Sequence, residues 1–374
     1  AGSGIEKAHD VRCLMATPDG SVWAGTGNGL FQIRRRSVRM YPAGGQQEHK
    51  TVTALLPDGD GGFWAGLDGR GLLRGHPGSL KEVPTEPPVL THATVTALFR
   101  ADDGTFWAGT REDHLWRVAT NGVIMQARTM EGNASRDITA LAQTADGTMW
   151  AGSREGLLRY DGEDRLVKCG GPEAAVLCLF ADRDGSLWIG TQTSGLWRRT
   201  PDGSFTAFRS ADGLPSDTVR VLHCGKGDAL WLGTPKGLAV VTRENGTPRL
   251  RACGHGLPEA DIWQMVADKG GNLWLGSRSA IFRVHQNDLC EAKAGRGRIL
   301  PVVSFGWSDG LEGKLTGGDH QGPLAVATAD GRLWFATHAG VAMLDPDALN
   351  LEEPGGATVV EELSASTGSG ERVR

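Results

Sequence analysis

The chain has 374 residues, 39 Lys+Arg against 44 Asp+Glu for a net charge of −5, and 55 glycines, roughly twice the usual share. That balance excludes a global basic field for nucleic acid or an anionic membrane, and no run of 18 apolar residues is present to span a bilayer. Twelve tryptophans and the lack of a Gly-X-Y period exclude collagen and a glycine-rich disordered tail.

In chain order, the first ten residues, AGSGIEKAHD, show no charged-then-apolar leader, which leaves a removed leader, an excised fragment or a cytosolic chain open. One phrase then recurs eight times, as in DGSVWAGTGNGLF, DGTFWAGTREDHLW and DGSLWIGTQTSGLW, centred on Trp23, Trp64, Trp107, Trp150, Trp188, Trp231, Trp274 and Trp334. The spacings are 41, 43, 43, 38, 43, 43 and 60 residues, and a period near 42 is that of a four-stranded propeller blade. Twelve residues before seven of these tryptophans stands a β-branched residue: Val11, Val52, Val95, Ile138, Val176, Val219 or Ile262.

The third unit shows how each is built. VTALF (95–99) reads as a first strand, Asp103-Gly104 as a turn needing positive φ, Trp107 as the centre of a second strand, and LWRV (115–118) as a third. A fourth strand follows each third one. Gly109 stands two residues after the tryptophan, where a neighbouring blade needs room. The fold expected is all-β, a single β-propeller over residues 1–349 with eight four-stranded blades, seven being the alternative count with one unit displaced. An open edge is avoided if an N-terminal strand, residues 3–9, joins the last set around Trp334.

The repeated tryptophans are expected to fill the wedges between blades. Trp263 differs, because it stands in a first strand where other repeats have Thr, Arg or Leu, and it faces either a neighbouring blade or the central channel. The 60-residue gap holds SFGWSDGLEGKLTGGDHQG, a long surface loop or short helical insertion, in which Asp319 and His320 read as polar loop residues rather than an acid–base pair. His114 and Ala336 replace repeat glycines. The period stops near Asn350, and residues 350–374 read as a linker followed by a strand, ATVVEEL.

DRDGSLWIGTQTSGLWR (182–198), with VTALFRADDGTFWAGT and ITALAQTADGTMWAGS, resembles the two-component regulator propeller repeat, whose mark is D-x-x-G-x-L-W-x-G-T followed by G-L-x-R. SADGLPSDTV (210–219) and CGHGLPEADI (253–262) are similar to that family's D-G-L-P link between blades. The resemblance runs from residue 11 to about 349. It implies a non-catalytic, ligand-binding sensor region of a bacterial hybrid histidine kinase or diguanylate cyclase, periplasmic or extracellular. It further implies that 350–374 opens an immunoglobulin-like module, with the signalling output domain of the same protein as a partner. Members often carry fourteen repeats in two seven-bladed propellers, against eight here.

The residues themselves show no nucleophile elbow, zincin motif or P-loop. Cys13, Cys169, Cys178, Cys224, Cys253 and Cys290 lack CxxC or zinc-type spacing, so no metal or cofactor is expected and the six read as isolated small apolar residues. Cys13 and Cys178 fall on opposite sides of an eight-bladed ring and should not bond. Binding candidates come from loop geometry: second-to-third and fourth-to-first connections of every blade gather on one face. They are Arg70, Arg111, Asp113, Arg154, Gln192, Lys236, Trp263, Arg278 and His338, with Asn28, Asp137, Asp217 and Asp261 nearby. Guanidinium groups at Arg111, Arg154 and Arg278 suit forked hydrogen bonds to an anionic or polyhydroxylated small molecule or glycan. Alternatives are an enzyme on the same scaffold, such as a lyase or glycan-degrading hydrolase, and a protein-interaction platform. Neither nucleic acid nor direct membrane insertion is expected.

Overall fold

The computed structural model describes residues 10–17, 21–33, 36–43, 50–82, 90–111, 115–118, 124–129, 137–291, 300–317, 322–349, 365–366 and 372–373. All eight expected units are antiparallel sheets, each with its tryptophan on the second strand. The chain divides into two compact units, one of residues 1–34 and 347–374 and one of residues 35–346.

The first unit contains β1 (Val11–Ala16), β2 (Val22–Thr26) and β3 (Gly29–Ile33), which form a three-stranded sheet with Trp23 opposite Met15. Every residue of β1 is exposed. The expected linker and opening strand at 350–374 lie outside the described residues, apart from two short paired strands, Ala365–Ser366 and Arg372–Val373.

The second unit begins with β4 (Val38–Pro42). Sheet 1 is β5 (Val52–Pro57), β6 (Phe63–Leu67), β7 (Gly71–His76) and β8 (Ser79–Glu82). Sheet 2 is β9 (Val95–Arg100), β10 (Phe106–Thr110), β11 (Leu115–Val118) and β12 (Ile124–Thr129). Sheet 3 is β13 (Ile138–Gln143), β14 (Met149–Ser153), β15 (Gly156–Tyr160) and β16 (Arg165–Lys168). Sheet 4 is β17 (Val176–Ala181), β18 (Leu187–Thr191), β19 (Leu196–Arg199) and β20 (Phe205–Phe208). Sheet 5 is β21 (Val221–Cys224), β22 (Leu230–Thr234), β23 (Gly237–Glu244) and β24 (Thr247–Cys253). Sheet 6 is β25 (Gln264–Ala267), β26 (Asn272–Gly276), β27 (Ile281–His285) and β28 (Val303–Phe305). Sheet 7 is β29 (Ala325–Ala327), β30 (Leu333–Thr337) and β31 (Gly340–Leu344), completed by β4.

Consecutive first strands touch in a closed circuit, β5 to β9, β13, β17, β21, β25, β29 and back to β5. Seven of the eight expected sheets form this circuit, and the eighth repeat, β1–β3, is a sheet of the other unit. Closure also differs from expectation. Residues 3–9 lie outside the described residues, and the fourth place in the last sheet is taken by β4, which follows the first repeat instead of preceding it. The reason is packing: Val38 and Ala43 are fully buried, and Tyr41 lies 5.4 Å from Trp334, ring to ring.

The core lies between sheets, as the tryptophans require. Trp334 packs with Phe63 and Leu55 of sheet 1, Trp107 with Leu141 and Met149 of sheet 3, and Trp231 with Met265 and Phe282 of sheet 6. Four of the repeat indoles share a local partner pattern. The residue six positions earlier, in the turn after the first strand, accepts the indole N–H in Trp150→Thr144, Trp188→Asp182, Trp274→Asp268 and Trp334→Thr328. The arginine of G-L-x-R lies across the ladder from its tryptophan at Trp64–Arg74, Trp107–Arg117, Trp188–Arg198 and Trp274–Arg283, with the guanidinium 5.5 to 6.0 Å from the ring. The repeat signature is thus a cation over an aromatic face on a twisted sheet.

The long gap before the last unit supplies a helix, Gln286–Glu291, between β27 and β28, and an ordered connection through residues 306–317. Cys13, Cys169, Cys178, Cys224 and Cys253 are free thiols. No helix among the described residues is long and apolar enough to cross a membrane.

Candidate functional site

Because all four strands of a sheet alternate in direction, the second-to-third turns and the fourth-to-first connections share one end of the ring. On that face Arg70, Gln192, Lys236, Arg278 and His338 are exposed turn residues, Arg111 is half-buried, and Asp113 and His114 lie outside the described residues, as do Asp319 and His320. The rim does not present its arginines uniformly. Arg111 lies 3.9 Å from Asp68 of the preceding sheet, and Arg154 pairs with Asp137 at 2.5 Å. Gln192 is engaged through its backbone, to Ala175 and Thr218.

What the structure brings together is the side of the ring formed by sheets 5, 6 and 7. It does so through the residue just before or within each inner strand. In sheets 1 to 3 that position is Thr53, Thr96 or Thr139, whose hydroxyl donates to the carbonyl of Val95, Ile138 or Val176 in the next sheet and closes the seam. At the same position sheets 5 and 6 carry Arg220 and Trp263. The Arg220 guanidinium sits 3.6 Å above the Trp263 ring and pairs with Asp261. Trp263 in turn lies on Gly317, which leaves no room for a Cβ. It therefore faces the neighbouring sheets, the first of the two orientations open to it.

Gln264 anchors the next layer. It is fully buried, and its Nε2 donates to the carbonyls of Thr316 and Ala336, both at 2.8 Å. Three buried polar atoms here have no partner: Trp263 Nε1, Gln264 Oε1 and Thr316 Oγ1. Unsatisfied groups of this kind cost about 1–3 kcal/mol each, and three of them cluster here. Beside them, the 314–316 segment runs along the end of β30, with Thr316 N–H bonded to Ala336 and His338 N–H to Lys314. Burial, then the charges of Lys314 and Arg278, hold the His338 imidazole below its ordinary pKa. Neither Arg278 nor Lys314 is ion-paired among the described residues, so three basic side chains stand together next to unmet hydrogen-bond donors.

Sequence reasoning named Trp263, Arg278 and His338 as binding candidates but missed Arg220, Gln264, Lys314 and Thr316. Arg220 was accessible by the same signal as Trp263, a departure from threonine at one register of the repeat. Lys314 and Thr316 lie in the insertion, where no repeat register exists to compare.

Residues 170–193 and 256–279 match the family model of the two component regulator propeller. No curated protein matches the sequence. Among solved structures, the extracellular domain of a hybrid two component system from B. thetaiotaomicron is similar at a TM-score of 0.71 and 19% identity, over 97% of this chain and 50% of that one. The chain thus spans half the length of that domain. Virginiamycin B lyase from Staphylococcus aureus is similar at 0.62 and 15% identity, over 82% of this chain and 99% of the lyase. The WD40 β-propeller domain of Doa1 is similar at 0.57 and 10% identity, over 83% and 95%. At these identities the likeness shows the propeller fold.

Proposed function

We propose that this chain, which carries two-component regulator propeller repeats, is a non-catalytic sensor propeller of a bacterial signal-transduction protein, working outside the cytoplasm. Its ligand is an anionic or polyhydroxylated small molecule or glycan fragment, bound on the loop face at sheets 5 to 7. The observation that carries this reading is the trio Lys314, Arg278 and His338 beside the unpartnered Trp263 Nε1, Thr316 Oγ1 and Gln264 Oε1. Donors for an oxyanion and an acceptor for a hydroxyl meet there, and the Arg220–Trp263 stack offers a flat wall. Binding favours one arrangement of the ring with its neighbouring modules and so shifts the output of the intact protein.

The sheet β1–β3 supports a larger assembly. Val11, Leu14 and Met15 are 51%, 66% and 60% exposed, whereas Val52 and Leu55, which hold the places of Val11 and Leu14 in the ring, are 0% exposed. Further repeats of the same protein would cover this apolar strand.

A thermal-shift screen of the purified chain against sugars, glycan fragments, organic acids and phosphates, with and without divalent metal, tests the reading. A ligand at a hundredfold excess over its Kd stabilises the fold by about 2.7 kcal/mol. Arg278→Ala with Lys314→Ala is expected to abolish the shift, and Arg111→Ala to preserve it; the reverse pattern defeats the site assignment. An enzyme on this scaffold is the second reading, since a lyase shares the fold. Turnover of a ligand from the screen would put it first.

A further inference from the structure

The opposite end of the ring carries a separate cleft of about 460 Å³ between sheets 2 and 3. It is framed by the turns that follow their first strands and by the turn between β15 and β16. Sheets 2 and 3 are also the two that join at their outer edges, through a parallel pairing of β12 with β16. The cleft is distinct from the loop-face cluster in both residues and location.

Its hydrogen-bond account does not close. Arg117 and Arg159 both line it, neither is ion-paired to a carboxylate among the described residues, and Arg117 hydrogen-bonds to Tyr160, which lines the same cleft. Arg117 lies over Trp107, and its buried Nε has no partner. Asp103 and Asp146 line the same cleft from the two turns. Each uses Oδ1 to accept the turn's own amide, from Thr105 and Thr148, and Asp146 Oδ1 also accepts the Thr144 hydroxyl. Asp103 is held below the usual carboxylate range by the amide and hydroxyl of Thr105, and Asp146 by the Thr144 hydroxyl and the Thr148 amide, so both are charged at neutral pH. One polar cleft therefore presents two guanidinium groups, one with an unpartnered Nε, and two carboxylates together.

We propose that this cleft binds a small zwitterion, a free amino acid or short peptide, with its carboxylate on Arg117 and Arg159 and its ammonium on Asp103 and Asp146. A simple anion would meet two carboxylates, and a simple cation two guanidinium groups; a molecule carrying both charges meets neither penalty.

Titration of the whole chain with L-serine, N-acetyl-L-serine and L-serinamide, by calorimetry and amide chemical shifts, tests this. Serine is expected to bind saturably, and each derivative, lacking one charge, about tenfold more weakly or worse. Arg159→Ala removes an exposed side chain and should bring serine down to the level of serinamide. Asp146→Asn keeps an oxygen for the Thr148 amide and should bring serine down to the level of N-acetylserine. The proposal is overturned if serine does not bind, if either derivative binds as tightly as serine, or if the two variants leave serine affinity unchanged. None of these results bears on the loop-face site, whose residues the variants do not touch.

Discussion

Sheets 1 to 3 and sheets 5 to 7 solve the same problem, closing a seam between neighbouring inner strands, in different ways. The first group uses a threonine hydroxyl aimed at the next strand's carbonyl, as in Thr139 to Val176 at 2.6 Å, with the side chain fully covered. The second uses Arg220, Trp263 and Gln264, which are larger than the seam needs and leave polar atoms without partners. A short side chain that satisfies its own bond gives rigidity and nothing to bind. Long side chains that over-reach the seam give a loop face with unfilled hydrogen-bonding capacity. The proposed site thus lies where the scaffold's own rule is broken.

The contrast is broken most severely by Gly317→Ala. A Cβ there collides with the Trp263 ring, and overpacking of this kind costs about 2–3 kcal/mol. Denaturant unfolding should show the loss, and the loop-face ligand shift should vanish with it.

Acid sensitivity should separate the two halves next. Burial pushes the His223 imidazole, on β21 of sheet 5, down to about 4. Its folded pKa lies below the unfolded value of 6.5, so its contribution is complete above pH 6.5 and is lost as pH falls through about 4, about 3 kcal/mol in all. His223→Asn should flatten stability in that window; an unchanged slope would sink the assignment. Carboxylates such as Asp268, held low by Trp274 and Asn272 against its own burial, titrate below this range and remain separable.

Smaller effects sharpen the comparison. Thr96→Val should cost about 1 kcal/mol by chemical denaturation, because the single hydroxyl proton shared between the Gly109 and Ile138 carbonyls is lost. Arg220→Ala should cost less than about 1 kcal/mol, since the pair is partly exposed, while weakening ligand binding. If Arg220→Ala destabilises more than Thr96→Val, the division between structural and binding seams is wrong.

The architecture was legible wherever the physics repeats. Asp-Gly turns, wedge-filling tryptophans and glycines such as Gly109, against which Ile138 packs directly, put the same residue at the same place in most of the sheets. The closing strand was not, because Val38–Pro42 makes its contacts with Trp334 almost 300 residues away and carries no repeat signal of its own. The arginine rim was read too evenly. Asp68 and Asp137 neutralise two of its members, and only three-dimensional proximity reveals that. Trp263 was legible because it departs from the repeat; Lys314 and Thr316 were not, since an insertion has no pattern to depart from.

The pairing of β4 with β31 has a mechanical consequence. Val38 lies opposite Leu344 and Pro42 opposite Gly340, so the chain enters and leaves the ring at the same end of one antiparallel ladder. Tension along the polypeptide would load that ladder from its open end and peel its pairs one at a time, instead of shearing them together. The seven-sheet ring hangs on the chain like a bead on a clasp: nearly all of its covalent length is bypassed under load, and the clasp is the element set to yield first.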